Sequence, residues 1–171
     1  MKTFRKLLIL SFVSLAIASC SKKDDDGGDN NNVEVGTLTA KVNGANFSGS
    51  VVAIATETTV AGTTIIRLQA SDASGKAIVI LINAYTGENT YEISDANTIV
   101  NTASYTETNI NNPASSPSWV APFNSSGKVG EVTISEKTAT TIKGTFNFEG
   151  KEQNGTSMKS ITDGKFNLEF Q

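Results

Sequence analysis

Thr37-Leu38-Thr39-Ala40-Lys41-Val42-Asn43-Gly44-Ala45-Asn46-Phe47 carries the reading on which the fold turns. Leu38, Ala40 and Val42 alternate with Thr37, Thr39 and Lys41, the period of two that gives a strand one apolar and one wet face. Asn43-Gly44 then supplies two residues that tolerate positive φ, as a type I′ hairpin turn demands. A two-residue loop pairs Val42 with Ala45 and Ala40 with Phe47, so the ring returns to the face that Leu38 began. Pattern and turn agree on a hairpin.

Moving along the chain, Asp72-Ala73-Ser74-Gly75 reads as a second turn. Taken so, it sets Ala70 opposite Ala77, Leu68 opposite Val79 and Ile66 opposite Leu81, a wholly apolar face. The reverse face then pairs Ile65 with Ile82, Arg67 with Ile80 and Gln69 with Ile78. This register predicts that something covers Ile78, Ile80 and Ile82: a second sheet of the chain, a short helix or a ligand. A second sheet is favoured, because near-continuous apolar strands are usual where both faces are covered.

Larger residues repeat the pattern near the C-terminus. Val132 and Ile134, then Ile142, Phe146 and Phe148, then Phe166, Leu168 and Phe170 alternate with polar residues. Asn154-Gly155 as a turn sets Phe148 opposite Ile161 but leaves Phe166 opposite Lys143, on the wrong face. One extra residue has to be absorbed, which predicts a β-bulge at Asp163-Gly164, with the glycine at positive φ. No stretch after residue 33 carries a 3.6-residue apolar period. The fold class is therefore all-β: an antiparallel β-sandwich or β-barrel of about eight to ten strands, a single domain over residues 33–171.

At 171 residues the chain suits one core. Lys2, Arg5 and Lys6 account for three of its 14 cations; past Cys20, 11 cations face 17 acids. An acidic chain without a basic patch has no electrostatic footprint for a phosphate backbone, which argues against nucleic-acid partners. Histidine is absent and cysteine occurs once, so no metal site or cofactor is expected from the usual ligands.

Lys2, Arg5 and Lys6 precede the apolar run Leu7–Ala18, the order of a secretory signal peptide over residues 1–19. The run is shorter than the roughly 20 residues a membrane span needs. Ile17-Ala18-Ser19-Cys20 resembles the bacterial lipobox, in which the cysteine receives a diacylglyceryl group, the peptide is cut before it, and a further acyl chain such as palmitate often caps the new amine. The resemblance makes Cys20 the lipidation site and the membrane a partner through the anchor. Two or three acyl chains on one residue hold a protein to a bilayer where a single chain does so only marginally. Residues 20–32, with Asp24-Asp25-Asp26 and Asn30-Asn31-Asn32, contain no apolar side chain beyond Cys20 and read as a flexible acidic tether. They do not complete a calcium loop: from Asp24, position five is Gly28 and position twelve Val35. The acid cluster after the cysteine resembles the export signal of Bacteroidota lipoproteins, which implies an outer-membrane location facing the cell exterior.

The segments Gly36–Phe47, Thr86-Gly87-Glu88-Asn89-Thr90-Tyr91, Gly144-Thr145-Phe146-Asn147-Phe148 and Asp163-Gly164-Lys165-Phe166-Asn167 resemble a family of uncharacterised Bacteroidota cell-surface lipoproteins with an all-β domain. The resemblance implies location and fold and brings no catalytic residue.

No nucleophile elbow, dinucleotide fingerprint or P-loop occurs. Glu131 with Glu136, or Glu149 with Glu152, are carboxylate pairs of the kind glycoside hydrolysis uses, but on alternating strands such acids belong to solvated faces. Glu107–Ser126 reads as a long loop holding Pro113, Pro117, Pro122 and the sole tryptophan, Trp119. Trp119 with Tyr105 or Phe123 forms a candidate platform for a sugar ring; the alternative is that Trp119 and Phe123 plug one end of the domain. The sequence therefore favours a lipid-anchored, non-enzymatic structural or interaction module with a protein or glycan partner. A glycan- or small-ligand-binding accessory protein comes second, and a carboxylate hydrolase third.

Overall fold

The computed structural model describes residues 33–171, so the signal peptide expected over 1–19 and the lipidated Cys20 with its tether lie outside the described residues. Eleven strands form: β1 (Thr37–Val42), β2 (Ala45–Ser48), β3 (Val52–Val60), β4 (Thr63–Ser71), β5 (Lys76–Ile82), β6 (Thr90–Ser94), β7 (Thr102–Glu107), β8 (Ser118–Ala121), β9 (Lys128–Lys137), β10 (Thr141–Glu152) and β11 (Met158–Phe170). A single 3₁₀ turn, Pro113–Ser115, joins them among the described residues.

All eleven strands belong to one hydrogen-bonded sheet, which two short junctions divide into a six-stranded and a five-stranded antiparallel part, called here the two sheets. Strands β2-β1-β11-β10-β9-β6 make one, and β3-β4-β5-β7-β8 the other. The long β10–β11 hairpin stitches them together at its two ends. Glu169 and Phe170 leave β1 behind and pair in parallel with Ile54 and Ala55 of β3. At the hairpin's turn, Lys151 and Glu152 pair with Val120 and Trp119 of β8. The pairings thereby close a hydrogen-bonded ring of seven strands, β11-β3-β4-β5-β7-β8-β10, from which β1-β2 and β9-β6 extend. Aromatic residues such as Phe47, Phe146 and Phe166 fill the core from the six-stranded sheet, and Ile66, Leu68, Ile78, Ile80 and Ile82 fill it from the other.

The first hairpin has the expected register, with Val42 opposite Ala45, Ala40 opposite Phe47, and positive φ at Asn43 and Gly44. The second does not. Ala70 faces Ile78, Leu68 faces Ile80 and Ile66 faces Ile82. The loop closes one residue differently because the Asp72 N–H donates to the Lys76 carbonyl, leaving three residues between them with Gly75 at φ 81°. The Asp72 carboxylate fixes this loop by accepting from the N–H groups of Ser74 and Lys76, each at 2.9 Å, and from the Ser74 hydroxyl at 2.8 Å. A one-residue shift exchanges the faces of a strand. Ile78, Ile80 and Ile82 are accordingly core residues beside Ile66 and Leu68, while Val79 and Leu81 are the half-buried residues of the outer face.

The bulge is where the sequence places it, with one correction. Phe148 pairs with Ile161 and Phe146 with Gly164, so the ladder shifts between them and brings Phe166 opposite Gly144 instead of Lys143. Asp163, at φ 52°, adopts the left-handed conformation in place of Gly164. Gly164 is needed for space: a Cβ there would lie 2.4 Å from the Phe146 carbonyl oxygen and 2.7 Å from its ring. Gly144 is tighter still, since a Cβ would fall 1.9 Å from the Thr133 carbonyl oxygen and 2.8 Å from the Phe166 ring. Glycines receive the rings across the sheet.

Buried Asn101 ties the sheets along another edge. Its Oδ1 accepts from the Asn83 N–H and its Nδ2 donates to the Glu92 carbonyl, both at 2.9 Å, joining the exit of β5 to β6.

Candidate functional site

The expected structureless loop over Glu107–Ser126 contains β8. Ser118–Ala121 is too short to announce itself by periodicity, yet it is framed by Pro117 and Pro122 and pairs with β7 on one side and β10 on the other. That pairing sets Trp119 opposite Tyr105, ring centroids 5.8 Å apart, with Trp119 only 5% and Tyr105 1% exposed. Phe47 meets the other edge of Tyr105 at 6.5 Å. The ring row closes the end of the core. Phe123 sits apart, half-buried, with the Lys151 ammonium 5.9 Å from its ring.

Lys159 enters this end from β11, its ammonium 4.6 Å from the Trp119 ring and 5.8 Å from that of Tyr105. A cation over aromatic faces is attracted by their quadrupoles. Glu107 completes the cluster: its Oε1 accepts from the Tyr105 hydroxyl at 2.9 Å and from Lys159 Nζ at 3.0 Å. Burial pushes the Tyr105 hydroxyl well above its usual range, and the hydrogen bond to Glu107 adds to this. Burial also pushes the Glu107 carboxyl upward, but the hydrogen bonds from Lys159 and Tyr105 outweigh it and the net shift is downward. Glu107 is thus a locked carboxylate. Behind the rings, Trp119 Nε1 donates to Ser157 Oγ at 2.8 Å, and that hydroxyl donates to Glu152 Oε2 at 2.6 Å.

In front of the cluster lies a cleft of about 290 Å³, lined by Asn43 and Asn46 of the first hairpin, Phe47, Lys76, Glu107 and Lys159. Lys76 stands opposite Glu107 across β5 and β7 and makes no ion pair with a described residue. Amides, one available ammonium and the edge of a carboxylate offer hydrogen bonds to a small polar group. A carboxylate held by two donors is poorly placed to accept a substrate proton.

The sequence-derived acid pairs occupy other surroundings. Glu131 is paired with Lys128 at 2.9 Å on the outer face of the six-stranded sheet, Glu136 and Glu149 are exposed, and Glu152 accepts from Ser157. Among the described residues, no group of three Asp, Glu, His or Cys side chains is placed to hold a metal ion. Sequence reasoning found Trp119 and Tyr105 but missed Lys159, Glu107 and Lys76. A signal for Lys159 was present: it shares the parity of buried Ile161, so it is an inward lysine on a core face. Lys76 and Glu107 meet through the β5–β7 pairing, which no local pattern specifies.

Residues 34–168 match a protein family described as a domain of unknown function, DUF6252. No curated protein and no solved structure matches the chain.

Proposed function

The chain belongs to that family over most of its length, and from this premise we propose that it is a lipid-anchored surface module that binds a partner and carries out no catalysis of its own. Cys20, the sole cysteine, follows Ile17-Ala18-Ser19 at the end of a short apolar run, and this placement carries the anchor. The acid cluster Asp24-Asp25-Asp26 after the cysteine supports an outer-membrane location, with the polar residues 21–32 spacing the domain from the bilayer. The locked Glu107 carries the non-catalytic reading, because the acid nearest the cleft is committed to Lys159 and Tyr105. What the cleft retains for a partner is the Lys76 ammonium, the Asn43 Nδ2 and the Asn46 amide.

Metabolic labelling with a palmitate analogue, followed by membrane fractionation, tests the anchor. The wild-type chain takes up label and sediments with the outer membrane, whereas Cys20→Ala loses the label and leaves the membrane fraction. Label retained in Cys20→Ala would overturn the reading.

A further inference from the structure

The outward face of the six-stranded sheet carries one uninterrupted polar row. Strand registers place Ser48 beside Thr39, Thr39 beside Lys165, Lys165 beside Thr145, Thr145 beside Thr133, and Thr133 beside Thr90. At about 4.8 Å between strands the row is roughly 24 Å long. Three depressions run along it and all three are lined by Lys165: one of about 400 Å³ beside Thr39 and Ser48, one of about 570 Å³ beside Thr145, and one of about 130 Å³ beside Thr133 and Thr145. The bulge separates the two larger ones, raising Asp163 between them.

Charge on this face is largely cancelled. Lys41 pairs with Asp163 at 2.9 Å, and Lys128 with Glu131 at 2.9 Å. Lys165 makes no ion pair with a described residue, so it is an available donor midway along a line of hydroxyls. Each hydroxyl donates and accepts, and each is mounted on a strand paired on at least one side, so the spacing is fixed before any ligand arrives. We propose that this row is a binding trough for a linear glycan lying across the strands, with ring hydroxyls and ether oxygens hydrogen-bonded to the threonines and to Lys165. An extended polyhydroxylated chain matches the length, the near-neutral charge and the alternation of donors and acceptors. A polyanion finds two cations without an ion pair to a described residue, Lys165 and, at the third depression, Lys143, too few to line the length of the row.

The position of the chain's entry adds a direction. Val33 lines the third depression, and its carbonyl accepts from Asn167 Nδ2 at 2.8 Å. Val33, the first of the described residues, therefore lies on the same face. If the chain is anchored as proposed above, the trough lies on the tethered side and suits a glycan rooted in the same surface; only this orientation rests on that reading.

Affinity electrophoresis of the full-length chain in non-ionic detergent, through native gels containing soluble arabinoxylan, mannan or mixed-linkage glucan, tests the trough. Mobilities are referred to a glycan-free gel. At least one neutral glycan retards the wild-type chain; Lys165→Ala and Thr145→Val each weaken the retardation at least threefold with an unchanged thermal midpoint. Arg67→Ala, which removes the same charge from the other sheet, leaves it intact. Absence of retardation by all three glycans, or equal losses in Lys165→Ala and Arg67→Ala, would overturn the proposal. Retardation that persists in full-length Cys20→Ala separates the trough from the anchor, since the anchor can then fail without it.

Discussion

The two sheets keep their strands in register by different means. In the six-stranded sheet, large rings lie over glycines on neighbouring strands, Phe166 over Gly144 and Phe146 over Gly164, and the outward residues are threonine, asparagine and charged groups. In the five-stranded sheet the inward residues of β3, β4 and β5 are aliphatic, Tyr105 and Trp119 being confined to β7 and β8, and Ile54, Ile65, Val79 and Leu81 make the outer face half apolar as well. A slip in the first sheet drives a ring into a Cβ and carries aromatic surface into water. A slip of β5 in the second exchanges Ile78, Ile80 and Ile82 for Ala77, Val79 and Leu81, one apolar set for another. Side chains specify register where the faces differ, and loops must specify it where they do not.

The largest expected effect breaks the first mechanism. Gly144→Ala brings a Cβ against the Thr133 carbonyl and the Phe166 ring, both of which are held by strands. Overpacking of this kind costs about 3 kcal/mol, read as a lower urea midpoint with an unchanged slope. In the aliphatic sheet Ile80→Val, at an equally buried site, should cost about 1 kcal/mol. Equal losses would mean that the ring-over-glycine contacts set no register.

This contrast also governs how much could be read from the sequence. The Asn43-Gly44 hairpin and the bulge near Asp163 were legible because phenylalanine alternates with polar residues, so only one pairing puts Phe47, Phe148 and Phe166 on one face. The β4–β5 register was not, since Ala77–Ile82 is apolar at every position and either register gives an apolar face. The deciding feature was the side chain of Asp72, whose hydrogen bonds to Ser74 and Lys76 select a three-residue loop. The site divides similarly. Trp119 and Tyr105 stand out as aromatics, whereas the contacts of Glu107 and Lys159 depend on strands 52 residues apart.

Asp72→Ala removes what specifies the second register. Three hydrogen bonds to a charged acceptor are lost, but the site is exposed, and the net cost should be about 1 kcal/mol. Burial acts to raise the Asp72 carboxyl, while hydrogen bonds from Lys76 and Ser74 and the charge of Lys76 bring it, on balance, below its ordinary value of 3.8. A carboxyl depressed in the folded state stabilises fully above its unfolded pKa, and that contribution fades as pH falls through the folded one. The stability gap between wild type and Asp72→Ala should therefore be constant near neutrality and narrow below pH 3.8. A gap that widens on acidification would show that the loop does not depend on the carboxylate.

The smallest effect sharpens the comparison by setting turn against turn. Asn43-Gly44 joins β1 to β2 in the six-stranded sheet, and Ala61-Gly62 joins β3 to β4 in the other, with positive φ at both central residues of each. Asparagine tolerates that conformation, whereas alanine at φ 50° brings its Cβ toward the following carbonyl. The five-stranded sheet, which relies on its loops, thus carries the less favourable turn residue. Ala61 is exposed, so replacing it perturbs no packing. Ala61→Asn should stabilise the domain by about 0.5 to 1 kcal/mol, seen as a higher thermal midpoint. Asn43→Ala should destabilise it by more than this gain, because the Asn43 side chain also accepts the Ser160 N–H at 2.8 Å. If Ala61→Asn leaves the midpoint unchanged, strain at this turn is already relieved by the fraying of an exposed hairpin tip, and the register of β3 against β4 must come from the buried pairs Ala55 with Leu68 and Ala53 with Ala70.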